Sequence, residues 1–523
     1  MSRPPSERSD AALLSVYDRT GVVPLARALA ERGVPLYATG GTRAHLAEHG
    51  IAAHDVGELT GYPSLFDGRV KTLHPNVFGG ILKDRSNPVH VTEAQEHGIP
   101  TISTVVANLY PFESTVAKEG ATLQEAIEQI DIGGVSLLRA SAKNFDHVTV
   151  LSDPAQYDTF IAALDRGGLD HAIRRRYATV AFERTAEYDS AIARYLESGL
   201  VATELPGSLA LTIPIEQPLR YGENPQDRAA FYLAREAQLP EQLGGKALSY
   251  NNLLDLDATL RLLVRAPVPL EGVERAAVRA AIVKHTVPCG VAERTTVADA
   301  VELALGTDPV SAYGGIIAVD GTIDAAAAEH LAGFFLEIVA APAFAPDALE
   351  RLRKKKNLRI MRFRSGAPEK IAAELRVRSA LGGVLAEDDD PQAPPERWTV
   401  VSQRQPTPEE RRDLAFAWDV VRHVKSNGVV IARDAVSRGI CAGQTNRVSA
   451  VQIAAHRAHA FAQAAACASD GFFPFPDGLL AAADAGVTAV IAPQGSIRDA
   501  EVIAAADARN IALVFSTYRY FLH

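Results

Sequence analysis

Short apolar runs separated by turn residues recur along this chain from residue 11 onward. AALLSV (11–16) leads through YDRTG into the amphipathic stretch VVPLARALAERG, which Gly33 closes. VPLYAT (34–39), GGT and RAHLAEHG repeat the order strand, turn, helix, and ISTVVANL (102–109) and HVTVLS (147–152) are further continuous apolar runs. Apolar strands alternating with helices predict a parallel sheet covered by helices, an α/β fold. Functional loops then belong at the carboxyl ends of the strands. Residues 153–200 read mostly as helix, and GSLALTIPIEQPLRYGENPQ (207–226) reads as a boundary with an extended segment. Beyond it AAIVKH (280–285), GGIIAV (314–319), EIVAA (337–341), GVVIAR (428–433), AVIA (489–492) and ALVFS (512–516) predict more buried strands. EDDDPQAPPERW (387–398) is charged and Pro-rich and marks a linker between two halves of the C-terminal region. The chain thus divides into a disordered tail at 1–10, a first domain at 11–200 with a helical extension, and two pieces at 201–390 and 391–523. No short-period repeat stands out.

Composition narrows the class. The 53 Lys and Arg against 63 Asp and Glu leave a net charge of −10. That is a poor balance for a general nucleic-acid binder, although a local basic site for one small anion remains compatible with it. Cys289, Cys441 and Cys467 are widely spaced and form no C-x-x-C pair, which excludes a disulfide scaffold and a Cys-based zinc cage. MSRPPSERSD lacks the apolar core of a signal peptide, and no apolar run approaches a membrane span. The expectation is a soluble cytoplasmic protein.

Several segments carry candidate chemistry, each with a plainer reading beside it. Thr39, Gly40, Gly41 and Thr42 follow a strand and open a helix, where backbone N–H groups can meet an anion. SVYDRTG offers Ser15, Arg19 and Thr20 at the preceding strand end. The plainer reading of both is a turn with an N-cap. In GRVKTLHP (68–75), Arg69 and Lys71 share one side if the segment is extended, and otherwise form a solvated basic loop. Tyr110 ends a strand, Asp131 precedes two glycines in IDIGG, and Lys143 closes RASAK. Together they make an acid/base set; singly, Asp131 is an N-cap and Lys143 a surface charge. IVKHTVPCGVA (282–292) places Lys284 and His285 at a strand end before a Pro-Cys-Gly turn. No H-x-E lies upstream and Cys289 has no partner, so the three ligands of a catalytic zinc are missing. A neutral His beside a cation suits a general base near pH 7, while a core His with an outward Lys is the plainer reading. Further on stand RYGENP (220–225), DPVSAYGG (308–315), VKSNGVV (424–430) with Asn427, CAGQTNRVSAV (441–451) with Gln444 and Arg447, and SDGFFPFPDG (469–478). The aromatics of the last suit either a wall for a planar ring or a structural cluster.

In this order GRVKTLHP, NLYPF, IDIGG, LRYGENP, KH…PCG, VKSN, AGQ..R and SD.FFPF resemble the bifunctional purine biosynthesis family: aminoimidazole carboxamide ribotide (AICAR) formyltransferase joined to inosine monophosphate (IMP) cyclohydrolase. The resemblance runs from SVYDRTG to the terminal RYFLH. It implies a methylglyoxal-synthase-like N-terminal domain (11–200) and two cytidine-deaminase-like α/β subdomains without zinc (201–390 and 391–523). It also implies a homodimer, acting on AICAR, formyl-AICAR and IMP, with 10-formyltetrahydrofolate as co-substrate and no tightly bound cofactor. His285 is implied as the base at the AICAR amine and Lys284 as the oxyanion partner. Arg220, Tyr221, Asn427, Arg447 and Arg519 are implied to hold the nucleotide. Gly314, Glu337, Phe472 and Asp477, with Gln444 and Phe473, are implied in the AICAR or folate pocket. Asp131, Lys143, Tyr110 and Lys71 are implied in cyclisation, with Arg69, Ser15 and the TGGT loop on phosphate and ring. The chain departs from the family pattern at Tyr17, Arg19, Val287, Cys441 and APQGS (492–496). A nucleotide-sensing module and a zinc nucleobase deaminase are the rival classes, and a one-activity enzyme whose cyclisation is disabled by Tyr17 is the third alternative.

Overall fold

Four of the apolar runs, with the short polar strand His54–Asp55 at one edge, pair as a parallel sheet in the order β3-β2-β1-β4-β5: β1 Ala11–Ser15, β2 Leu36–Ala38, β3 His54–Asp55, β4 Ile102–Ala107 and β5 Thr149–Leu151. The computed structural model describes residues 10–523 except 64, 119, 167, 199–204, 206, 235–236, 270–272 and 390–392. β1 is central because Ala12, Leu13 and Leu14 are fully buried, with neighbours on both sides. Helices Val22–Glu31, Gly133–Lys143 and His171–Ser198 pack their apolar residues on this sheet. Of the expected tail only Asp10 lies within the described residues, and it accepts a hydrogen bond from Arg85 at 2.7 Å.

The chain forms two compact units. One ends at Pro214 and takes back Leu233–Ala237; the other holds Ile215–Tyr232 and everything from Gln238 on. The divide therefore falls at Pro214–Ile215, inside the segment read as a boundary, and not at 200–201.

The second unit is built on one twelve-stranded sheet in which a pattern occurs twice. A hairpin (Val278–Lys284 with Val287–Arg294; Val429–Arg433 with Val436–Cys441) leads into a helix (Val297–Thr307; Arg447–Ala458). Next comes a strand antiparallel to the hairpin's first member (Ile316–Val319; Ala466–Ser469). Two strands parallel to that one follow (Ile338–Ala341 and Arg359–Arg362; Ala489–Pro493 and Ala512–Ser516). Each copy is closed by an antiparallel outer strand, Glu241–Gly244 or Trp398–Val400. The copies join where Val287–Arg294 meets Val436–Cys441, with Ala292 opposite Val436. So the pieces read as 201–390 and 391–523 share a sheet.

Two details correct the sequence reading. Pro288-Cys289-Gly290 is strand, not turn; the turn is His285–Thr286. Gly290 serves close packing, since a Cβ there would lie 2.1 Å from the Ala304 carbonyl, and Gly439 stands in the same relation to Ala454 at 2.0 Å. The expected linker is pinned at its end, while its residues 390–392 lie outside the described set. Glu396 Oε1 accepts from Trp398 Nε1 at 3.0 Å, Trp418 Nε1 at 2.9 Å and Ser516 Oγ at 2.5 Å, and Oε2 accepts from the Tyr520 hydroxyl at 2.9 Å.

At the join, fully buried Arg279 donates to Glu293 at 3.0 and 2.6 Å, to Asp419 at 2.5 Å and to the Leu262 carbonyl at 3.0 Å. A buried arginine needs such a complete partner set, because each unpaired charge would cost several kcal/mol (~3–5). Among the described residues no helix is long and apolar enough to cross a membrane.

Candidate functional site

The carboxyl ends of β1, β2 and β4 open into a cavity of about 1130 Å³. Its lining includes Ser15, Tyr17, Arg19, Thr39, Gly41, Thr42, Arg69, Lys71, Tyr110 and Asp131. Buried Thr42 stitches the first loop to the second: its Oγ1 accepts from Val16 N–H at 3.0 Å and donates to the Val16 carbonyl at 3.1 Å. Thr39 Oγ1 donates to Ser15 Oγ at 3.3 Å. Asn108, which the sequence reading passed over inside NLYPF, holds the first loop from β4. Its Oδ1 accepts from Tyr17 and Asp18 N–H at 2.6 and 3.0 Å. Arg19 lies over Gly41, with Nη2 3.5 Å from where a Cβ would be. Thr20 and Gly40 do not line the cavity, although Gly40 starts the helix that frames it.

Arg69 and Lys71 are not on an extended segment. A short 3-10 helix, Phe66–Gly68, and successive turns carry them, so alternation does not place them. Arg69 pairs with Glu128 at 2.7 and 2.6 Å. Tyr17, the departure in the first loop, sets its ring edge-on to Tyr110 with centroids 5.9 Å apart.

Asp131 is the buried carboxyl of this lining. It is 9% exposed, and burial holds its carboxyl above the usual carboxylate range, with Gly134 and Tyr110 N–H groups and the Lys71 charge pulling it partly back. Its Oδ1 accepts from Gly134 N–H at 2.7 Å, and its own N–H donates to the Tyr188 hydroxyl at 2.9 Å. Burial, then the Asp131 charge, raises the Tyr110 phenol. A carboxyl, a phenol and an ammonium around one cavity can move a proton and steady a developing oxyanion. Gly134 is required here, because a Cβ would stand 2.3 Å from Asp131 Oδ2. Gly134→Ala is expected to cost ~1–3 kcal/mol of stability and to slow chemistry at this cavity alone. Unchanged turnover there would show that the carboxylate's placement is immaterial.

Lys143 is not brought to this cavity by its own chain. It closes the helix that Gly133 opens, ~15 Å along the axis, and lines a separate depression with Arg139, Arg175 and Phe182.

In the second unit Lys284 ends the first hairpin strand and His285 begins the turn after it. Lys284 Nζ donates to the Tyr313 carbonyl at 2.7 Å, and His285 is exposed on the turn. Gly314 and Glu337 share that end of the sheet, since Ile316 pairs with Val283 and with Ile338. Gly314 has φ 79°, which only glycine adopts freely, and Glu337 accepts from Arg359 at 2.5 Å. The second copy brings its strand ends to the same edge. Val429–Arg433, which follows Asn427, lies two strands from Val287–Arg294, or ~10 Å at ordinary strand spacing. Arg447 is engaged within the fold: it donates to Ser469 Oγ at 2.8 Å, to Asp470 and to Asn427 Oδ1. Asn427 N–H and Nδ2 donate to the Gln444 carbonyl at 2.9 and 2.7 Å. Asp470, fully buried, also accepts from Ser426 Oγ at 2.6 Å and Gly428 N–H at 2.9 Å, and anchors the C-terminal segment through Tyr520 N–H at 3.0 Å.

Phe472 is exposed, but Phe473 is 2% exposed and belongs to the core, where helix Asp477–Asp484 covers it. Asp477 is exposed at the start of that helix. Arg519 stacks on Phe521 at 4.7 Å. Arg220 stacks on Tyr221 at 4.7 Å and donates to its hydroxyl at 2.8 Å, in the loop that Asn251 ties at Glu223. Burial pushes the Cys289 thiol up to about 11. Among the described residues, the group of possible metal ligands with atoms within 4.8 Å of one another is His45, Glu48 and His49, none of which lines the first cavity.

The profile of the AICARFT/IMPCHase bienzyme matches residues 141–457, and that of the MGS-like domain matches residues 21–136. The bifunctional purine biosynthesis protein PurH of Desulfitobacterium hafniense (strain DSM 10664 / DCB-2) is 46% identical over 526 residues, 98% of this chain and 99% of that protein. The protein of the same name from Prochlorococcus marinus (strain MIT 9313) is 48% identical over 517 residues, with the same coverage of 98% and 99%. A solved structure titled crystal structure of ForH aligns with 36% of this chain and 100% of its own, at 35% identity and a TM-score of 0.33, too low to carry an argument. With half the chain under one profile and nearly all of it aligned to these relatives, the protein belongs to the AICARFT/IMPCHase bienzyme family, the bifunctional purine biosynthesis proteins.

Proposed function

We propose that the two reactions of the family are divided between the two compact units. The chain is a bifunctional enzyme of the last two steps of de novo purine biosynthesis, formyl transfer to AICAR and cyclisation to IMP. The observation that carries the division is the first cavity, which gathers a buried carboxyl, a phenol and Lys71 at strand ends that also offer an anion cradle.

Formyl transfer belongs to the long sheet. The 5-amino nitrogen of AICAR attacks the formyl carbon of 10-formyltetrahydrofolate, and the bond to the folate nitrogen breaks, leaving tetrahydrofolate. His285 takes the amine proton. Lys284, already aimed by the Tyr313 carbonyl, steadies the oxyanion and passes a proton to the leaving nitrogen. Arg220 and Arg519, exposed and stacked on Tyr221 and Phe521, hold the nucleotide together with the half-buried Tyr221. Asn427 and Arg447 act by shaping the edge, since each is bonded within the fold. Gly314, Glu337, Phe472 and Asp477 form the rest of the pocket, without Phe473.

Cyclisation belongs to the first unit. The carboxamide nitrogen of formyl-AICAR attacks the formyl carbon, and water leaves. Asp131 orients and deprotonates the carboxamide, Lys71 and Tyr110 support the departing hydroxyl, and Arg19, Ser15 and the Thr39–Thr42 loop hold the phosphate. Lys143 drops out of the set that this chain's own cavity assembles.

The duplicated strand order supports two cytidine-deaminase-like subdomains fused through one sheet. Among the described residues Cys289 belongs to no group of three possible ligands, the set a catalytic zinc needs. The protein acts as a homodimer in the cytoplasm, with folate as co-substrate. Incubation with AICAR and 10-formyltetrahydrofolate under chelator is expected to yield IMP, resolved by chromatography. Formyl-AICAR that cyclises no faster than without protein would sink the reading of the first cavity; no reaction would sink both.

A further inference from the structure

We infer that Asp255 is a positioning residue for formyl transfer: its carboxylate fixes the His285–Thr286 turn and so aims the Lys284–His285 pair. The inference rests on the reading of that pair as the transfer site. The turn is two residues long, because Lys284 pairs with Val287 across it. Both residues have positive φ, 56° at His285 and 60° at Thr286. Such turns favour Asn-Gly or Gly-Gly, since a side chain in the left-handed region is crowded and a β-branched one most of all. His visits this region more readily than most residues, but β-branched Thr286 does not, so the pair alone does not select the conformation. Asp255, on helix Tyr250–Arg261, supplies the constraint: Oδ2 accepts from His285 N–H at 3.2 Å and Oδ1 from Thr286 N–H at 2.6 Å. Two charge-assisted bonds to consecutive amides hold both peptide planes at once.

The duplicate copy carries the same device. Its hairpin turn is Asp434–Ala435, with φ 57° and 49°. Asp413, on the equivalent helix Pro408–Val421, accepts from both N–H groups at 2.8 Å. One carboxylate clamp is thus built twice around unrelated turn residues, and only the first copy presents a lysine and a histidine. Left-handed, side-chain-bearing turns persist where surrounding structure over-determines them, and such places cluster at active sites. Here the over-determination is one carboxylate, and its effect on the exposed His285 is to fix where the imidazole starts from.

The test sets Asp255→Ala against Asp413→Ala in the full-length protein, with Asp255→Asn and His285→Ala alongside. Each alanine variant loses one clamp, and the two are expected to lower the thermal midpoint by similar amounts. Only Asp255→Ala is expected to lower kcat for formyl transfer, by ~10²-fold, the effect of a misplacement near 1 Å. KM for AICAR changes little, and cyclisation of supplied formyl-AICAR is unchanged. Asp255→Asn keeps the volume and one acceptor and is expected to fall between, which keeps the test readable if the alanine variant does not fold. Parental kcat in Asp255→Asn, or an equal kcat loss in Asp413→Ala, overturns the inference. Parental kcat in His285→Ala overturns the reading beneath it, so the two failures are told apart.

Discussion

Replacing His285 with alanine is expected to lower formyl transfer by ~10²–10⁴-fold, the usual contribution of a positioned general base. The demand on the base is high because the AICAR amine is a poor nucleophile, its lone pair delocalised into the imidazole ring. Lys284 would remain, held by the Tyr313 carbonyl, so oxyanion support survives and the loss isolates proton removal. Cyclisation of supplied formyl-AICAR is expected to be untouched, since the cavity proposed for it is lined by residues of the other compact unit. The measurement is release of tetrahydrofolate with AICAR present, and separately the conversion of formyl-AICAR to IMP. Loss of both activities in a folded protein would break the two-site division.

Asp131→Asn is expected to do the reverse, lowering cyclisation by ~10²–10⁴-fold while formyl transfer continues and formyl-AICAR accumulates. The pH behaviour follows from burial. The folded-state pKa of Asp131 lies above its ordinary 3.8, so the folded chain holds this proton more tightly than the unfolded one. The group therefore favours folding below the unfolded pKa, and that contribution is lost as pH rises through the folded one. At neutral pH the ionised carboxylate weighs against the fold. Asparagine is expected to leave the thermal midpoint at or above the parent's even as cyclisation collapses. Cyclisation by the parent, which needs the ionised form, is expected to rise with pH along an acid limb displaced upward from the ordinary carboxylate range. A limb at the ordinary value would argue that Asp131 is not the base.

The strands that are apolar throughout were legible, because burial on both faces demands it, as at Leu13 and Leu14 or Ile338 and Val339, whereas more polar ones such as His54–Asp55 and Glu241–Gly244 were not. The hairpin turn was not: His285 and Thr286 carry none of the Gly or Asn chemistry that announces one, and the constraint comes from Asp255, thirty positions away in sequence. Pro288 and Gly290 read as turn residues, yet the glycine answers to a helix carbonyl and not to a bend. The duplication was hidden because it is a likeness of strand order, in which Asp255 answers to Asp413 while His285 answers to Asp434. Within SDGFFPFPDG, Phe472 and Phe473 are chemically alike, and only packing against helix Asp477–Asp484 separates the exposed ring from the core one. The bond from Gly134 N–H that seats Asp131 in the cavity lining was foreshadowed by its glycines. Lys143 could not be placed, because helix length and not residue type carries it away.

The carboxylate of Glu396 holds the indoles of Trp398 and Trp418, the chain's two tryptophans, within one hydrogen-bonded group, their rings 6.2 Å apart and Tyr520 5.4 Å from the second. Intrinsic fluorescence of this protein is therefore a local reporter. Its spectrum follows the outer strand and the last segment of the chain, and the unit that ends at Pro214 is silent in it. A denaturation curve read at tryptophan wavelengths would pass over the loss of the first unit's cavity entirely, whereas the disagreement between that curve and far-ultraviolet circular dichroism would measure how independently the two units melt.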